Sequence, residues 1–196
     1  MTARRRHPLA MGLMCLIGLW TAPALQAQER ALRPMHIHKV PALGLEIWTE
    51  YQPEWSTELV HQGKKPLFIV QSPPLSYPPA AMSYASFPGM QVRPDELKAV
   101  ATSVLRRAAR NYRVPAQQRR HLEPTPARYG ELNGYEGRFS GSAHGEAVDV
   151  QVFIGQKPGK WPVMMQIYTL PGKLPHLSEQ IRRAWTHVRY LDTARR

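Results

Sequence analysis

The chain has 196 residues, with 26 basic against 14 acidic side chains, one cysteine and a formal net charge of +12. A single cysteine excludes an intrachain disulfide framework and a thiolate metal cluster, and no apolar run reaches the roughly twenty residues that a membrane-spanning helix needs. So basic a balance points to an anionic partner: nucleic acid, anionic lipid or an acidic protein.

The amino terminus reads as an export signal. Arg4-Arg5-Arg6 supply the positive segment, residues 9–20 the apolar run, and Leu25-Gln26-Ala27 a small-residue cleavage site, with Ala24 as the second choice. Cys15 lies inside the apolar run and leaves with it. The mature chain then carries 23 basic against 14 acidic side chains, a net of +9, and has no thiol for a nucleophile or a disulfide. These residues place the protein in the periplasm or outside the cell, where nucleic acid is not met. An envelope or secreted protein with an acidic surface, or an anionic membrane surface, is the expected partner. The expected organisation is a signal peptide over 1–27, a flexible lead-in over 28–42, where Arg30, Arg33 and Lys39 break any period, and a single domain over 43–192.

Within that domain Leu45, Ile47, Thr49 and Tyr51 alternate with Glu46, Trp48 and Glu50, the two-residue period of a strand with one wet face. Residues 58–61 predict a second strand. A turn at Gln62-Gly63-Lys64-Lys65 leads to Leu67-Phe68-Ile69-Val70, a continuous apolar run that suits a central strand. Residues 72–79 hold four prolines and cannot donate enough backbone hydrogen bonds to join a sheet interior, so they predict a stiff, extended surface loop. Strand character resumes over 82–87.

Residues 94–112 predict the main helix. Leu97, Val100, Ala101, Val104 and Ala108 share one stripe, Asp95 and Glu96 suit its positive end, and Arg106, Arg107 and Arg110 its negative end. Three alternating strands follow, carried by Tyr135, Gly137 and Phe139, by Val148, Val150, Val152 and Ile154, and by Val163, Met165 and Ile167. They form an antiparallel meander, and Leu177, Ile181, Ala184, Trp185 and Val188 then predict a closing amphipathic helix that ends near Tyr190.

The fold class read from these elements is α+β: one curved antiparallel sheet of about six strands packed between two main helices. Gly134-Tyr135-Glu136-Gly137-Arg138-Phe139, the hairpin to Val148-Asp149-Val150, and the Leu-x-x-Gln-Ile-x-x-Ala-Trp pattern from Leu177 to Trp185 resemble the superfamily that includes the photosystem accessory protein PsbP and the bacterial periplasmic DcrB proteins. That resemblance implies a sheet sandwiched between helices, used as a binding or accessory module with no shared active site. The Pro-rich loop and the missing lipidation cysteine depart from it, so it transfers architecture and no functional residue.

Spacings that mark a nucleophile elbow, a zinc helix or a phosphate loop are missing from the sequence. A dispersed Ser142, His144 and Asp149 could meet in space, but His144 suits an exposed hairpin tip and Asp149 the wet face of a strand. His36 and His38 put two imidazoles on one side of an extended segment, which is too few ligands for zinc or copper. No catalytic residue, metal or cofactor is therefore assigned. The candidate binding residues are Lys98, Arg106, Arg110 and Arg113, lying off the apolar stripe of the helix, together with Trp48 among the glutamates of its strand and Tyr77 in the Pro-rich loop. They suit a non-catalytic accessory or binding protein, including an immunity or inhibitor role. The alternatives are a small-ligand carrier or sensor with a pocket beside the Pro-rich loop, and an uncharacterised hydrolase.

Overall fold

The computed structural model describes residues 35–191 except Gln52 and Lys64. The signal peptide expected over 1–27 lies outside the described residues, as do residues 28–34 of the lead-in. Everything described falls within one compact unit, Pro34–Arg196.

Among the described residues the fold is α+β and its sheets are antiparallel throughout, but there are two of them, of seven and three strands, where one sheet of about six was expected. In chain order the strands are β1 (Met35–Val40), β2 (Leu45–Glu50), β3 (Ser56–Gln62), β4 (Lys65–Gln71) and β5 (Ala80–Ser86). Helices α1 (Leu97–Asn111) and α2 (Ala116–Arg120) follow, then β6 (Thr125–Tyr129), β7 (Leu132–Ala143), β8 (Glu146–Gln156) and β9 (Val163–Thr169). A single 3-10 turn (Leu174–Leu177) enters α3 (Ser178–Thr186), and β10 (Arg189–Tyr190) closes the described chain. The large sheet runs β3-β4-β5-β9-β8-β7-β6 and the small one β1-β2-β10.

The small sheet corrects the reading of residues 35–40 as part of a flexible lead-in: Met35 pairs with Glu50 and Val40 with Leu45 in a full antiparallel ladder. It also shortens the last helix. Tyr190 lies opposite Leu45 as strand, not helix.

The two faces of the large sheet carry separate cores. On one face Phe139, Val148, Val150, Val152 and Ile154 pack against Leu97, Ala101, Leu105, Ala108 and Ala109 of α1. Leu105, only 1% exposed, occupies the centre of the helix stripe, and the expected Val104 is a partly buried flank. Gly137 lets α1 come this close, since a Cβ there would overlap the Leu105 methyl groups. On the other face Phe68, Val70, Met82, Tyr84, Phe153, Met165 and Ile167 pack against Leu45 and Ile47 of the small sheet and Ile181 and Trp185 of α3. The large sheet is thus covered on both faces, by one helix on one side and by a small sheet with a helix on the other.

Candidate functional site: a cationic helix end

Helix α1 ends in a feature that its sequence does not advertise. Val114 N–H donates to Ala109 O at 2.9 Å and Arg113 N–H to Arg110 O at 3.0 Å, the paired bonds of a Schellman cap. The residue that turns the chain is Arg113, in the left-handed region at φ 59°, where glycine is the usual occupant. A long cationic side chain is therefore held at a position that its backbone disfavours.

Around this cap the chain collects positive charge. Arg107 and Arg110, three apart on α1, share one side of the helix and are exposed; Arg113 and Arg120 of α2 extend the surface and are exposed too. Among the described residues none of these four pairs with an acidic side chain, whereas Arg93, Arg106, Arg138, Lys157, Arg182 and Arg183 each do. Arg119 turns inward and donates to Val114 O at 2.7 Å, which ties α2 to the cap.

Of the expected binding residues, Arg110 and Arg113 belong to this surface. Arg106 is already occupied, bridging Glu123 Oε1 at 3.2 Å and Arg120 O at 2.9 Å. Lys98 is exposed on the first turn of α1, more than two turns from Arg107. Asp95 and Glu96 precede the helix and are held by Arg93, so they balance nothing at its far end. Arg107 was read from sequence only as suiting the negative end of the helix, and Arg120 was not among the candidate binding residues. The three-residue step from Arg107 to Arg110 was the available signal for the first.

The remaining residues are not brought here. Trp48 points out of the small sheet, on the side of the large sheet opposite α1; it is half-buried, stacks on His187 with ring centroids 5.1 Å apart, and donates Nε1–H to Glu46 at 2.9 Å. Tyr77 stands in the Pro-rich loop, 73% exposed, with Lys173 Nζ 5.5 Å from its ring centre. That loop forms one wall of an open cleft of about 400 Å³ at one end of the large sheet. Ser72 and Pro79 lie on the loop side and His144 and Glu146 on the β7–β8 hairpin, with Ala81 and Tyr168 also lining the cleft.

Asp149 does not join Ser142 and His144 as a catalytic unit. Its carboxylate accepts from Ser140 Oγ at 2.6 Å and from Gly172 N–H at 2.6 Å, pinning the turn after β9. His144 is exposed at the two-residue hairpin tip, with φ 52°. His36 stacks on Tyr51 and His38 bonds Thr49 Oγ1 at 2.8 Å. No group of three or more His, Cys, Asp or Glu is placed to hold a metal ion among the described residues. No helix among them is long and apolar enough to cross a membrane.

No protein-family profile and no curated protein matches this chain. Among solved structures it is similar to a crystal structure from Bacteroides thetaiotaomicron VPI-5482, determined at 1.50 Å, with a TM-score of 0.51 and 9% identity over 79% of this chain. The chain spans about half, 47%, of that protein's length. At such identity the likeness shows the fold alone.

Proposed function

We propose that this chain, once exported, is a non-catalytic binding protein of the cell envelope that docks an acidic protein partner through the cationic end of α1. The observation that carries this reading is the set Arg107, Arg110, Arg113 and Arg120, exposed and, among the described residues, in no ion pair with an acidic side chain. Unpaired guanidinium groups suit bidentate carboxylate recognition. A helix seated on a sheet holds them in place, which lowers the entropy lost on docking, and an immunity or inhibitor role needs nothing more. Cross-linked capture from an envelope fraction, repeated with Arg107, Arg110 and Arg113 changed to Glu, tests it: an acidic partner is retained by the parent chain and lost by the variant.

The cleft beside the Pro-rich loop supports a second reading, as a carrier or sensor of a small ligand. Its volume of about 400 Å³ falls within the size range of small-molecule sites. Thermal stabilisation by a ligand, abolished by Tyr168→Ala but indifferent to the arginine changes, distinguishes this reading from the first.

A further inference from the structure

Six large apolar side chains of the described residues are markedly exposed, and the two most exposed share one loop: Leu75 at 99% and Tyr77 at 73%, against 51% or less for Ile37, Tyr51, Met90 and Leu59. This loop is held at both stems. Ser72 N–H donates to Ala80 O and Ala80 N–H to Ser72 Oγ, each at 2.9 Å, while Thr169 Oγ1 donates to Pro79 O at 2.6 Å. Within it Ser76 N–H closes a turn onto Pro73 O at 2.9 Å, and four prolines limit its freedom. An apolar side chain left wholly in water at the tip of a clamped loop, with an aromatic ring two residues on, is placed to enter an apolar medium.

We infer that this tip is a shallow, reversible anchor for an anionic lipid surface. Two side chains are too few to bury the roughly 800 Å² per partner that a specific protein interface requires. They do match a bilayer interface, where leucine enters the acyl boundary and tyrosine settles among the headgroups. Charge selects the lipid. Residues 72–79 carry no acidic side chain, and Lys173 holds its ammonium beside the Tyr77 ring. Glu146 stands across the cleft, on the opposite wall. A single small anchor of this kind binds weakly, so charge attraction is needed to complete it.

The test uses the full chain with Cys15→Ser and Ser76→Cys, the latter carrying an environment-sensitive dye that reports immersion of the tip whatever else holds the protein. On vesicles rich in phosphatidylglycerol the dye emission moves to the blue; on pure phosphatidylcholine it does so far less. Leu75→Asp lowers that partition about tenfold or more. Arg107→Glu with Arg110→Glu leaves the shift in place, which separates this site from the protein-docking face. An aqueous dye spectrum on anionic vesicles overturns the inference. So does a shift that survives Leu75→Asp, or a dye-site cross-link to a protein in the absence of vesicle binding. Circular dichroism of Leu75→Asp should match the parent, because the side chain it replaces touches only solvent.

Discussion

Arg183 of α3 donates from Nη1 to Glu50 Oε1 of β2 at 3.3 Å, and the two side chains are only 10% and 11% exposed. Gln180 of the same helix donates to the other carboxylate oxygen at 3.3 Å. This buried pair fastens the terminal helix to the small sheet. Breaking a buried pair strands a charge, so Glu50→Ala should cost about 3–5 kcal/mol, while replacing both partners with methionine should cost far less. Urea unfolding of the two variants checks it; equal losses would show that the pair contributes little beyond packing.

Arg113 supplies a second test, in which stability and binding move in opposite directions. The left-handed backbone costs a side-chain-bearing residue about 1–2 kcal/mol, and the freedom that glycine adds to the unfolded chain offsets about 0.5–1. Arg113→Gly should therefore stabilise the fold by about 0.5–1 kcal/mol while weakening capture of the acidic partner. A variant that is more stable and binds unchanged would remove Arg113 from the docking surface.

Leu105, wedged against Gly137, should be the most sensitive position of α1. Leu105→Ala leaves a cavity and should cost about 2–5 kcal/mol. Val104→Ala, on the partly buried flank, should cost less. Thermal melts of the two rank them directly.

Much of the architecture was readable because β2 and β9 alternate cleanly and β8 is rich in β-branched residues: all three were recognised within a few residues of their observed bounds. Strand β1 was not, because its inward positions are His36, His38 and Val40, while Ile37 faces out and is 51% exposed. Its hydropathy is inverted, and only pairing with β2 reveals it. Strand β6 was missed because Pro126 argues against a strand, yet it lies at the edge of the large sheet, where proline is tolerated. Of the proposed docking surface, Arg110 and Arg113 were legible. Arg106 could not be seen to be occupied, because Glu123 lies 17 residues away.

The same inverted strand gives a pH dependence. Burial holds His38 below its ordinary pKa of 6.5, and neighbouring His36 adds to this while Glu54 opposes it. The unfolded chain then takes up a proton more readily than the folded one. Stability should be complete above pH 6.5 and fall as pH drops below it, with a slope from this group of at most about 1.4 kcal/mol per pH unit. His38→Gln should flatten that part of the stability profile; a variant profile parallel to the parent's would assign the loss to other groups.

The central claim, an acidic partner held by the end of α1, is tested most directly by the salt dependence of its affinity. Raising salt from about 0.1 to about 1 M shortens the screening length from about 10 to about 3 Å. Binding of the captured partner should weaken steeply over that range for the parent chain, and should already be weak and nearly salt-independent with Arg107, Arg110 and Arg113 changed to Glu. A partner that binds both proteins equally at every salt concentration would contradict the account.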